Sequence, residues 1–111
     1  RHYAPRTPLS IVPAERLFNE VSAMIVFGRR VGILELQREP SKLPYLERGV
    51  FRFSMPNTPV EYAQRLYAML RQADAAQLDQ LIVEQVPASE AWCAVSDRLR
   101  RATCAHSPDT P

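Results

Sequence analysis

Cys93, Cys104 and His106 are the first residues to weigh for chemistry, because thiolate and imidazole attack carbonyls and hold zinc. A structural zinc site needs four such ligands at set spacing. Here Cys104-Ala105-His106 is only a loose C-x-H in a Pro-containing tail. Cys93 lies between Trp92 and Ala94 in a helical stretch, where a thiol reads as a small buried hydrophobe. The run Gly28-Arg29-Arg30-Val31-Gly32 lacks the G-x-G-x-x-G spacing that lets a pyrophosphate approach a helix N-terminus, and there is no P-loop. Glu35, Glu39 and Glu47 fall in or beside an exposed connection and do not read as paired carboxylates in a pocket. Arg98, Arg100 and Arg101 could meet RNA phosphate, but Asp97 stands four residues before Arg101, as on a solvated, self-paired helix face. The residues alone predict no catalytic centre and no metal site.

The elements that would position these groups are easier to read. "PLSIV" (Pro8 to Val12) is a first strand. From Pro13 the spacing turns helical, with Leu17, Val21, Met24 and Ile25 on one stripe and Gly28 as the C-terminal cap. "VGILEL" (Val31 to Leu36) is nearly continuous apolar, as in a strand covered on both faces. A polar connection with two prolines, Gln37 to Gly49, leads to a third strand, "VFRFSM". Thr58, Pro59 and Glu61 read as a capping box opening a helix that runs to about Ala75. A fourth strand is centred on Leu81 to Val83. Behind Pro87 and Ser89, the residues Ala91, Val95, Leu99 and Ala102 mark a last helix.

Strands alternating with helices require crossovers, and crossovers mean a largely parallel sheet. The expected fold is α/β: a small Rossmann-like three-layer sandwich with a mostly parallel sheet of about four to five strands. Residues 1–8 precede this unit, 9–103 form it, and 104–111 read as a flexible tail.

Composition sets the outer bounds. A chain of 111 residues, 46% hydrophobic and 23% charged, has the makeup and size of one soluble globular domain. Its formal charge of +2 is too small to argue for nucleic acid. All the basic residues but Lys42 are Arg, a bias that reads as genome composition. Two cysteines are few for a secreted disulfide scaffold. No apolar run approaches the roughly 18 residues of a membrane span, and nothing resembles a secretion signal. The expected location is the cytoplasm, with no membrane partner.

Two stretches, "EYAQRLYAMLRQADAAQLDQLIVEQVP" and "AWCAVSDRLRRAT", carry a family resemblance. The first has a helix pattern Y-A-x-x-L-Y-x-x-L-R-x-x-D at Tyr62, Ala63, Leu66, Tyr67, Leu70, Arg71 and Asp74, then a strand with Asp79, Ile82 and Glu84. The second closes on Asp97, Arg98, Leu99, Arg101 and Ala102. Together they resemble the C-terminal domain of the long, two-domain form of threonylcarbamoyl-AMP synthase. "RHYAP" at the start is similar to the end of that family's interdomain linker. Where many members carry Gly-Leu-Gly before the last helix, this chain has Glu90-Ala91-Trp92.

The resemblance implies a function that the residues alone do not. The full enzyme condenses L-threonine, bicarbonate and ATP into threonylcarbamoyl-AMP and pyrophosphate with Mg2+, for threonylcarbamoyladenosine modification of tRNA. Its chemistry belongs to an N-terminal YrdC-like catalytic domain, the implied partner, with other tRNA threonylcarbamoylation proteins as further ones. The isolated C-terminal domain is then neither catalytic nor a holder of cofactor. His2, Tyr3 and Pro5 would belong to a linker acting as a lid on that catalytic domain, and without it the segment is expected to be disordered. A second reading is a stand-alone nucleotide- or small-ligand-binding regulatory module. Its pocket would lie after the strands, around Gln37 to Pro40 and Pro56 to Asn57. A third is an RNA-contacting module built on Arg98, Arg100 and Arg101.

Overall fold

Runs of β-branched and other apolar residues build the strands. The structure, a computed structural model, describes residues 3–38 and 50–104, of Cys104 the backbone alone. Expectations resting on His2, Glu39, Pro40, Glu47, His106 and the tail lie outside these residues. The strands are β1 (Leu9–Val12), β2 (Val31–Leu36), β3 (Val50–Met55) and β4 (Gln80–Glu84). They form one sheet in the order β1-β4-β2-β3, parallel at every pairing. β2 lies in the interior and is buried at all six positions, as its unbroken apolar run requires.

Helices cover both faces. Helix α1 (Leu17–Val26) packs Leu17 and Val21 on Val12, Val31, Ile33 and Ile82. Helices α2 (Pro59–Ala75) and α3 (Cys93–Cys104) cover the other face, with Leu66, Leu70, Val95 and Leu99 over Leu34, Leu36, Leu81 and Val83. The predicted α/β sandwich, helices on either side of a parallel sheet, is the fold observed.

The ends of the helices differ from expectation in detail. Pro13 does not open α1: its ψ of 150° is extended, a 3-10 turn Ala14–Arg16 follows, and α1 begins at Leu17. Gly28 does terminate α1, at φ +73°. Its N–H donates to the Ile25 carbonyl (2.9 Å), and the Arg29 N–H to that of Met24 (3.0 Å), the paired bonds of a left-handed glycine cap. At α2 the Thr58 hydroxyl donates to Glu61 Oε1 (2.7 Å), so the two side chains satisfy each other instead of exchanging bonds with backbone N–H groups.

Before α3, Glu90–Trp92 forms a 3-10 turn that buries Trp92 edge-on against Tyr62, with ring centroids 5.5 Å apart at 83°. Trp92, Val95, Leu99 and Ala102 make the inward stripe. Cys93 falls about a quarter-turn off that stripe and is exposed, contrary to the buried hydrophobe expected. Among the described residues no helix is long and apolar enough to cross a membrane.

Candidate functional site

Among the described residues, two clusters of polar side chains are centred on buried or half-buried carboxylates. The first is where the chain enters. Asp74, in the last turns of α2, accepts from four donor groups between Tyr3 and Thr7. The Tyr3 hydroxyl donates to its Oδ2. The Arg6 N–H reaches both oxygens (3.1 and 3.0 Å), and the Thr7 N–H (2.9 Å) and hydroxyl (2.7 Å) both reach Oδ1. Arg71, one turn earlier, sets its guanidinium over the Tyr3 ring, 5.7 Å from the centroid. Pro5 is buried. Instead of the loose segment expected, residues 3–7 are strapped to α2. One carboxylate can do this because it accepts several bonds at once.

Burial opposes ionisation of Asp74, but the hydrogen bonds from Tyr3, Thr7 and the Arg6 and Thr7 backbone outweigh it and hold its carboxyl down at about 2. The same bond to Asp74 pushes the Tyr3 hydroxyl up from its ordinary value, helped by desolvation and by the carboxylate charge. Of the three expected lid residues, the structure therefore places Tyr3 on the domain's own helix and buries Pro5 beside it in the chain. The Tyr3 hydroxyl is committed to Asp74.

The second place is the carboxyl edge of the sheet. Val31, Ile33 and Glu35 share the α1 face of β2, and Gln80, Ile82 and Glu84 share it on β4. Both glutamates are buried, Glu35 6% and Glu84 3% exposed. The reading of Glu35 as exposed is thus corrected: its strand is interior, and the sheet and its neighbours cover it. Glu84 accepts the Leu36 N–H (2.9 Å) on Oε1. It also accepts both terminal nitrogens of Arg38, Nη1 on Oε1 (3.0 Å) and Nη2 on Oε2. Glu35 accepts Arg52 Nε (3.2 Å) and Nη2. The bond to Glu84 raises the Arg38 guanidinium still further above neutrality.

These groups border a cleft of about 620 Å³ lined by Glu35, Leu36, Gln37, Arg38, Arg52, Ser54 and Asn57. Gln37, Arg38 and Asn57 are where a pocket after the strands was expected. Sequence reasoning missed Arg52, and it named Glu84 only as part of a strand motif, without a place in this cleft. The available signal was one glutamate at the same parity in each of two apolar strands.

The remaining candidates do not converge. Asp97 pairs with Arg101 (2.8 Å) and Arg100 (3.2 Å) on the exposed side of α3, as its spacing predicts. Among the described residues no group of three or more His, Cys, Asp or Glu could hold a metal ion. Glu35 and Glu84 each carry a guanidinium, a donor set that does not suit Mg2+.

Fold and contacts together define the class: a three-layer parallel α/β domain that clamps its own leading strap to a helix. A solved structure gives the same fold. The crystal structure of the C-terminal Sua5 domain of a hypothetical Sua5 protein from Pyrococcus horikoshii superposes with a TM-score of 0.66 at 23% identity, covering 87% of this chain and 93% of that one. The model of the threonylcarbamoyl-AMP synthase C-terminal domain matches residues 1–104. The chain belongs to that family. A comparison with curated proteins gave no match.

Proposed function

We propose that this chain serves as the C-terminal accessory domain of an L-threonylcarbamoyladenylate synthase. The full enzyme joins L-threonine, bicarbonate and ATP into threonylcarbamoyl-AMP and pyrophosphate for threonylcarbamoyladenosine modification of tRNA. An N-terminal catalytic domain performs the reaction in the cytoplasm, and ATP and Mg2+ belong to that half. This domain anchors the strap that carries His2, Tyr3 and Pro5, and the strap acts as a lid on the catalytic domain. The isolated domain does not catalyse.

The observation that carries this reading is the bond between Tyr3 and Asp74. It joins the linker-like start of the chain to the helix pattern in which Arg71 and Asp74 stand, so "RHYAP" and the first of the two stretches that carry the family resemblance are halves of one contact. A lid needs a fixed hinge as much as a mobile tip, and Asp74 supplies the fixed end. The test is pyrophosphate release from ATP, threonine and bicarbonate. The full-length enzyme should lose activity on Asp74→Asn with its fold intact, and the 111-residue chain should show none. Activity in the isolated chain, or an indifferent Asp74→Asn enzyme, would overturn the reading.

A further inference from the structure

The cleft at the carboxyl edge of the sheet has no part in that function, and its construction asks for one. Two carboxylates are sunk into the end of an otherwise apolar core, Glu35 and Glu84. Buried ion pairs of this kind seldom stabilise a fold more than apolar side chains of equal volume. Stability alone is therefore a poor reason to keep two of them side by side.

Their geometry has a direction. Each glutamate holds the guanidinium of an arginine whose own side chain stays partly exposed, 25% for Arg38 and 35% for Arg52, at the cleft wall. Glu84 is itself fixed by the Leu36 N–H at the end of β2, so Arg38 is clamped at its terminal nitrogens. A carboxylate behind an arginine orients it as a rigid donor, and a planar guanidinium pre-set this way suits oxyanion recognition. Ser54 and Asn57, both exposed on the same wall, add a hydroxyl and an amide. The rim is thus rich in donors that come from β3, from the residues after β2 and from the lead-in to α2. The carboxylate acceptors lie beneath. The place is also where parallel α/β sheets bind ligands, outside the carboxyl ends of the strands.

We propose that this cleft is a binding site for a phosphate-class oxyanion, free or as the monoester of a small molecule, with Arg38 and Arg52 as its principal donors and Ser54 and Asn57 completing the shell. A carboxylate would be satisfied by one guanidinium. Donors from three segments suit the several oxygens of a tetrahedral anion. Because each arginine is already neutralised by its glutamate, selectivity comes from donor geometry more than from net charge.

The experiment is NMR titration of the 15N-labelled 111-residue chain with inorganic phosphate, AMP and adenosine at constant ionic strength, following the arginine side-chain and the Ser54 and Asn57 amide resonances. Saturable shifts with phosphate and AMP alike are expected for a site that takes the bare anion; shifts with AMP and none with phosphate place the monoester there. Asn57→Asp sets a negative charge on an exposed rim position without touching the core. It should weaken binding roughly tenfold, and Arg52→Lys, which keeps the charge but loses the planar fork, should do the same with melting temperature unchanged for Asn57→Asp. No saturable shift with phosphate or AMP, adenosine binding as well as AMP, or binding indifferent to Asn57→Asp would each overturn the proposal.

Discussion

Tyr3 and Asp74 stand 71 positions apart in sequence and share a hydrogen bond, and around it the same carboxylate gathers the Arg6 and Thr7 backbone. The chain's leading residues are thereby part of the folded unit. The expected boundary at residue 8, read as the end of an interdomain linker, falls between these donors and their acceptor.

Protonating Asp74 should undo the strap. Its carboxyl titrates near 2 when folded, below its ordinary value near 3.8, so its contribution to stability is complete above about pH 4 and is lost as pH falls towards 2. Asp74→Asn should cost about 1–2 kcal/mol at neutral pH, after discounting for solvent screening at a partly exposed site. Urea denaturation at pH 7 and pH 2.5 checks both parts, because the difference between parent and variant should shrink at the lower pH. Tyr3 has the opposite sign. Its raised value means that its contribution fades only as pH climbs past the ordinary tyrosine range.

Gln77 follows α2 in the left-handed region, at φ +56°, where a side chain is disfavoured. Gln77→Gly removes that strain and should stabilise the domain by about 0.5–1 kcal/mol. Gly28→Ala, at φ +73°, should cost a similar amount in the other direction. Paired thermal melts of the two variants read the two signs together.

The Tyr62 hydroxyl is buried and no described residue partners it, while burial and the Glu84 charge push its ionisation well up. Tyr62→Phe should therefore leave stability within about 0.5 kcal/mol of the parent or raise it, since no hydrogen bond is lost. Trp92→Ala removes the ring packed edge-on against it and should cost about 3–5 kcal/mol. Chemical denaturation with an unchanged m-value separates these outcomes.

At the sheet edge, Arg38→Ala strands a nearly buried carboxylate and should cost about 3 kcal/mol, the lower part of the range for broken buried pairs because Arg38 is partly exposed. The double change Arg38→Met with Glu84→Gln should recover most of that loss, since it removes both charges and keeps an amide oxygen for the Leu36 N–H. A double-mutant cycle in urea measures it.

Much of the architecture was legible because periodicity reports burial. β2, with its unbroken run, is buried on both faces, and Leu17, Val21, Leu66, Leu70, Val95 and Leu99 face the core as their spacing requires. The edge cleft was harder. Glu35 resembles any strand-end glutamate until strand order is known, and its neighbour Glu84 arrives 49 residues later through a parallel pairing that no local pattern encodes. The strap was half legible. Tyr3 and Asp74 were both singled out, yet their partnership is tertiary. Cys93 failed for a smaller reason, a helix phase set by Trp92 one position earlier.

The strand order carries a consequence for how the molecule is assembled. β1 pairs with β4 alone, Leu9 to Val12 against Leu81 to Glu84, so β1 has no bed to lie in until the last strand of the sheet has formed. Contacts of such sequence separation form slowly and late. During synthesis the strap has no anchor until Asp74 and β4 have emerged, and the closing of the sheet at β1 is then the event that fastens residues 3–7 to the body of the domain.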